Sequence, residues 1–205
     1  MIHKFFLFLG LCFFSHMSIA ADVEKKQKHI LVKAEDIPEI VVGKESAPIT
    51  IIEYSSLTCG HCAEFHVQTW PHLKKKYIDT GKVKFIFRHF PTDATALRAT
   101  AILIHVPLPR QHQALQQTFE TQAQWIETKD FKELSRLYGL DEKFCEQIIK
   151  NPKVLDAIIK KRVIYEKALP IEGTPTFIIN GKVYANDLKF SELEKILNGS
   201  VAHAK

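Results

Sequence analysis

Residues 51–62 read Ile51-Ile52-Glu53-Tyr54-Ser55-Ser56-Leu57-Thr58-Cys59-Gly60-His61-Cys62. The first half belongs to a β-rich stretch that starts at Ala47, with Pro48 near the strand start, where a missing N–H is tolerated. The second half ends in a Cys-x-x-Cys pair that opens an amphipathic pattern. Phe65, Val67, Trp70, Leu73 and Tyr77 keep roughly helical spacing, and Gly81 stops the run. Val83 to Phe90 then alternates as a strand does, until Pro91 ends it. Strand, helix, strand is a βαβ unit, and it places the two cysteines at the start of its helix.

Working outward, Thr92 to Leu169 carries helical segments and no convincing strand. Gly139 closes one helix, Asp141 caps the next, and Asn151-Pro152 separates that one from a last helix through Val154, Ile158, Ile159 and Ile164. The chain then returns to β. Thr176 to Ile179, the turn dipeptide Asn180-Gly181, and Lys182 to Tyr184 predict a hairpin. A closing helix follows, with Ser191 and Glu194 as a capping box and Gly199 just past its end. The fold class is α/β: one domain with a helical insertion between its two halves.

The 205 residues are 46% apolar and 25% charged, which excludes a disordered chain, and only 8 are glycine, which excludes a collagen-like repeat. The net charge of +5 comes from lysines scattered among acidic residues, without the dense stripe or reading motif of a nucleic-acid binder. Met1 to Ala20 has a basic start at Lys4, an apolar run over Phe5 to Phe14, and small residues at its end. That is the pattern of a signal peptide cut after Ala20, and the apolar run, about 15 Å as a helix, is too short to span a bilayer. Export would place the remaining cysteines where disulfides persist. The chain thus divides into a signal peptide (1–20), a lead-in (21–40), a first α/β half (41–91), a helical insertion (92–169) and a second α/β half (170–205).

Cys59 and Cys62 carry the chemistry. Two cysteines three apart at a helix start can close a small, readily reduced disulfide, and both the helix N-terminus and a protonated His61 favour a thiolate at Cys59. Cys62, one turn in, points toward the protein as the resolving thiol. The alternative is a metal site from Cys59, Cys62 and His66, but a structural zinc site wants a fourth ligand, and the next cysteine, Cys145, is far along the chain and alone. Strand–CxxC–helix in an exported chain favours redox, so no metal is expected. Cys145 shares a helical stripe with Ile148 and Ile149 and reads as a small core hydrophobe, with intermolecular pairing as the alternative. His66, His72, His89 and His105 read as surface or packing residues. Lys74-Lys75-Lys76 reads as a solvated helix end.

Three segments, Ile51 to Cys62, Val83 to Pro91 (VKFIFRHFP) and Glu172 to Asn180 (EGTPTFIIN), resemble the DsbA-type thiol–disulfide oxidoreductases of bacterial envelopes. The resemblance covers essentially all of the chain after the signal peptide and implies a thioredoxin fold with an inserted helical subdomain. It implies that Pro175 is a cis-proline facing the CxxC, in the Gly173-Thr174-Pro175 loop, exposing backbone for pairing with an extended substrate peptide. Thr174 would lie beside Cys59 and tune its thiolate. Glu53, at the position of the family's buried acid, would assist proton transfer to Cys62.

By the same resemblance the function is a periplasmic disulfide oxidase. It would act on unfolded exported proteins with Cys pairs, be reoxidised by a DsbB-like membrane quinone reductase, work as a monomer, and need no bound cofactor or nucleic acid. One departure bears on strength: many strong oxidases of the family carry Pro-His between the cysteines, whereas Gly60-His61 matches protein disulfide isomerase. Potentials run from about −120 mV for DsbA through about −180 mV for the isomerase to about −270 mV for thioredoxin. The alternatives are an isomerase or reductase on the same fold, or a non-enzymatic peptide-binding holdase.

Overall fold

The computed structural model describes residues 36–128, 130–185 and 188–202. The signal peptide expected over 1–20 and most of the lead-in lie outside these residues. Five strands form one sheet: β1 (Ile40–Val42), β2 (Ile49–Ser55), β3 (Val83–His89), β4 (Thr176–Ile179) and β5 (Lys182–Ala185), in the order β1-β3-β2-β4-β5. β2 and β3 run parallel, as a βαβ crossover requires, and the other pairs are antiparallel. The sequence reading places no strand before Ala47, so β1 is a correction to the lead-in. Three residues are too few to show a period, and β1 exists only because it pairs with β3, Val41 opposite Ile86.

The hairpin between β4 and β5 turns through Asn180 and Gly181, both at positive φ (46° and 84°), which is what a two-residue turn of this kind demands. Asn180 also serves the neighbouring strand: its Oδ1 accepts from the Thr50 N–H (3.0 Å) and its own N–H donates to the Thr50 carbonyl (3.1 Å).

The crossover from β2 to β3 starts with α1 (Gly60–Glu64) and continues through a wide π-helical turn, Phe65–Thr69, into α2 (Trp70–Leu73) and a second π-turn, Lys74–Ile78. Pro71, in the first turn of α2, has no N–H to offer the carbonyl four residues back, and the Trp70 N–H instead reaches five back to Phe65. The phase of this run differs from the sequence reading. Val67 is exposed, whereas His66 and Thr69 are buried. At about 100° per residue from Cys62, positions four and seven further on return to the inner face and position five does not. The lysines sit at a solvated helix end, where Lys74 bonds Asp79 and Lys76 bonds Glu194 at the surface.

Between β3 and β4 come α3 (Ala94–Leu103), α4 (Leu108–Glu120), α5 (Gln122–Thr128), α6 (Phe131–Tyr138), α7 (Glu142–Ile148) and α8 (Pro152–Ala168). Asp93, Asp130, Asp141 and Asn151 cap four of them through backbone N–H groups, and Gly139 ends α6 at φ 64°. The insertion shares its core with the sheet: Leu115, Phe119, Trp125, Leu134 and Tyr138 join Phe65, Phe85, Phe87 and Phe177 in one apolar cluster, with Cys145 buried in it. The fold is therefore α/β, a thioredoxin-type sheet carrying an inserted helical layer.

α9 (Phe190–Ala202) closes the chain. Two expectations fail there. Gly199 lies inside the helix, not past it, and the Glu194 carboxylate binds Lys76 and Tyr77 instead of closing a capping box with Ser191. The first turn is anchored one step earlier, by the Lys189 carbonyl accepting from the Glu192 and Leu193 N–H groups. Among the described residues, no helix is long and apolar enough to cross a membrane.

Candidate active site around Cys59 and Cys62

β2 delivers the chain to the site edge at Ser55, and a short turn follows before α1. Cys59 is the N-cap: its backbone is extended (φ −75°, ψ 122°) and its sulfur accepts the Cys62 N–H at 3.4 Å. In the dithiol form seen here, Cys59 Sγ–H donates to the Thr174 carbonyl at 3.1 Å, across the cis Thr174-Pro175 peptide bond. Gly173 leads into this loop with nothing near the place a Cβ would occupy. The site therefore brings together Cys59, Thr174, Pro175 and Gly173, four of the residues singled out from sequence, from segments 115 residues apart.

The two thiols differ sharply. Cys59 is held down to about 5, first by the hydrogen bond from the Cys62 side chain, then by the Thr174 hydroxyl and the backbone N–H groups of Cys62 and His61, all against partial burial. Cys62, wholly buried, is pushed far up, first by burial, then by its hydrogen bond to Cys59 and by the negative charges of Glu53 and Cys59; Ser55 pulls the other way. His61 acts on Cys59 through its backbone N–H. Its ring is 68% exposed and lies 4.0 Å from Glu64 Oε2.

Behind the cysteines sits Glu53, fully buried on the same face of β2 as Ile49 and Ile51. Its cross-strand neighbours are Phe87 on β3 and Phe177 on β4. A carboxylate between two phenylalanines needs a polar partner, and His66 supplies it: Nε2 lies 2.8 Å from Glu53 Oε2. The other ring nitrogen, Nδ1, meets the Gln116 amide from α4 at 2.9 Å, and the ring stacks on Phe119 with centroids 4.4 Å apart. Reading His66 as a bland surface or packing residue is thus corrected. With both nitrogens engaged by Glu53 and Gln116, the ring is also not placed as a third metal ligand beside the cysteines. The missed signal was its i+4 spacing from Cys62, which puts both on one helix face.

Two residues of the insertion hold the loop in place, and neither stood out in the sequence. Gln122, at the start of α5, donates to the carbonyls of Leu57 (2.8 Å) and Cys59 (2.9 Å). Asp93, the N-cap of α3, accepts from the Thr58 hydroxyl.

A family model described as Thioredoxin matches residues 35–199, so the chain belongs to the thioredoxin family. Its relatives place it among the DsbA-like thiol–disulfide oxidoreductases. A Rickettsia conorii protein named as a protein-disulfide oxidoreductase is 28% identical over 205 residues, covering 91% of this chain and 73% of that one. A Rickettsia typhi protein of the same name is 31% identical over 170 residues, covering 77% of this chain, which spans only 62% of the relative's length. Among solved structures, alpha-DsbA1 of Wolbachia pipientis superposes with a TM-score of 0.73 at 27% identity, covering 84% of this chain and 98% of that one.

Proposed function

We propose that this chain is an exported disulfide oxidase that makes disulfides in newly secreted proteins by exchange through Cys59 and Cys62. One observation carries the direction: Cys59 is held near 5 while its partner thiol is pushed far up. A sulfur stabilised as thiolate is a good leaving group, and the reduced state it belongs to is favoured, which makes the disulfide form a better oxidant. A substrate thiolate attacks Cys59 of the Cys59–Cys62 disulfide and forms a mixed disulfide, with Cys62 leaving. A second substrate thiolate attacks the substrate sulfur, Cys59 leaves, and the substrate departs oxidised. The two sulfurs suffice for this chemistry without a bound cofactor.

The Gly173–Pro175 loop is the surface on which an extended substrate peptide pairs, its Thr174 carbonyl lying beside Cys59. The N-terminal pattern over 1–20 supports export to a periplasm, where unfolded proteins with Cys pairs are the substrates and a DsbB-like membrane quinone reductase restores the disulfide. The Gly60-His61 dipeptide favours a second reading, an isomerase. Titration against glutathione separates oxidant from reductant: about −180 mV or above supports the oxidase, and about −250 mV or below reverses the direction. An assay on a scrambled disulfide protein separates oxidase from isomerase.

A further inference from the structure

The site contains one buried group that the exchange steps above do not use, the Glu53–His66–Gln116 chain. We propose that His66 is a positioning residue for proton transfer at Cys62: it holds one oxygen of Glu53, backed by Gln116, and leaves the other oxygen to exchange a proton with the Cys62 thiol. The inference rests on the oxidase reading of Cys59 and Cys62.

Glu53 Oε2 is engaged by His66, whereas Oε1, just as buried, meets no hydrogen-bond partner among the described residues. A fully buried acceptor left open beside a thiol that feels its charge is placed for proton exchange, at a cost in stability. Cys62 and His66 project from one face of the same helical run, so Glu53 is met from that single side.

Gln116 completes the device. When Glu53 is a carboxylate, His66 Nε2–H donates to it and the Gln116 NH2 donates to Nδ1. When Glu53 is protonated, the proton sits on Oε1 and Oε2 still accepts from Nε2–H, so the ring and the Gln116 amide keep the same roles. Both protonation states of Glu53 therefore keep all of these hydrogen bonds. Other titratable groups near the ring are quiet at neutral pH: burial pushes His112 on α4 down to about 4 and His89 on β3 to about 3. Lys74 and Asp79 act on His112 with opposite sign.

A substrate thiolate forms a bond to Cys59 Sγ, the Cys59–Cys62 bond breaks, and its electron pair goes to Cys62 Sγ. The proton on Glu53 Oε1 moves to that sulfur, and the new carboxylate keeps the His66 N–H bond on Oε2. On reoxidation the Cys62 thiol returns its proton to Glu53 and its electron pair attacks the mixed disulfide. Solvent water restores the proton inventory over the cycle.

The test is the rate at which the oxidised chain is reduced by dithiothreitol from pH 5 to 9, read by acid quench and thiol alkylation. Glu53→Gln is expected to slow the reaction at neutral pH by about tenfold or more. His66→Gln, which keeps an amide donor but gives up the ring held between Phe119 and Gln116, is expected to slow it by about tenfold and to shift its pH profile. Glu53→Gln combined with His66→Gln should be no slower than Glu53→Gln alone, since both act through one proton. Cys59 thiolate absorbance, followed in each variant, should titrate as in the unaltered chain. A His66→Gln profile matching the unaltered chain, or an effect that adds in full to that of Glu53→Gln, overturns the inference. If His66→Gln does not fold, Gln116→Met carries the same test, with a smaller shift in the same direction expected and an unchanged profile overturning it. An unaltered chain that exchanges no disulfide overturns the oxidase reading as well; a competent chain indifferent to His66 overturns this inference alone.

Discussion

Only two residues separate Cys59 from Cys62 in sequence, yet the two occupy opposite environments. Cys59 faces the Thr174-Pro175 loop at the surface, ringed by hydrogen-bond donors from Cys62, Thr174 and the first backbone N–H groups of α1. Cys62 faces inward, wholly buried, with Glu53 as its charged neighbour. The lesson is that the residues between two cysteines do not by themselves set their reactivity. One helical turn rotates one sulfur to the donors and the other to the apolar core, and the tertiary surroundings then push their proton affinities apart.

The comparison breaks most completely at Cys59. Cys59→Ser is expected to abolish disulfide exchange with oxidised glutathione, whereas in Cys62→Ser the Cys59 thiolate should attack that disulfide, release one glutathione thiolate and hold a mixed disulfide that accumulates because no Cys62 thiol resolves it; mass spectrometry distinguishes the two. Next, Thr174→Val removes a hydroxyl donor from the thiolate. It should raise the Cys59 pKa by about one unit and lower the reduction potential, as thiolate absorbance and glutathione titration would show.

A subtler break lies in the loop's anchorage. Gln122→Ala removes two hydrogen bonds to the carbonyls of Leu57 and Cys59 and should cost about 1–2 kcal/mol of stability in denaturant unfolding, more in the reduced than in the oxidised form. The pH dependence sharpens the same contrast. Cys59 is held at about 5 in the folded, reduced chain and sits near 8.5 when unfolded, so its depressed value stabilises the reduced form. That contribution is complete above about pH 8.5 and is lost as pH falls through about 5. The melting temperature of the reduced form should therefore lose its margin over the oxidised form across that window.

The smallest effect is expected at His89, beside Ser55 in the strand register and buried with both ring nitrogens unpartnered among the described residues. Burial holds it near 3, below its unfolded value, so it opposes folding once pH drops below about 6.5. His89→Leu should leave neutral stability within about 1 kcal/mol and slow acid unfolding.

Much of the frame was legible in order. The β2–α1–β3 unit followed from residue periods, the Asn180-Gly181 hairpin from turn chemistry, and the capped helices of the insertion from Asp141, Asn151 and Gly139, because each signal is local. What failed was non-local or depended on phase. β1 is a strand only by pairing with β3. Val67 reads as inward because it is apolar and His66 reads as a surface or packing residue without a role, although the helical angle from Cys62 turns His66 inward and Val67 out. Gln122 and Asp93 brace the active-site loop from the insertion, where nothing in their own neighbourhoods marks them.

The sequence by itself determined the class of fold, the pair of sulfurs at a helix start and the family the chain belongs to, since strand period, helix period and a CxxC spacing are properties of consecutive residues. Tertiary structure alone decided which histidine meets Glu53, which residues of the insertion brace the active-site loop, and how far the surroundings push the two thiols apart. Those depend on groups 13 to 115 residues apart meeting in a buried site, where desolvation and a single hydrogen bond shift a proton by far more than any residue's intrinsic preference.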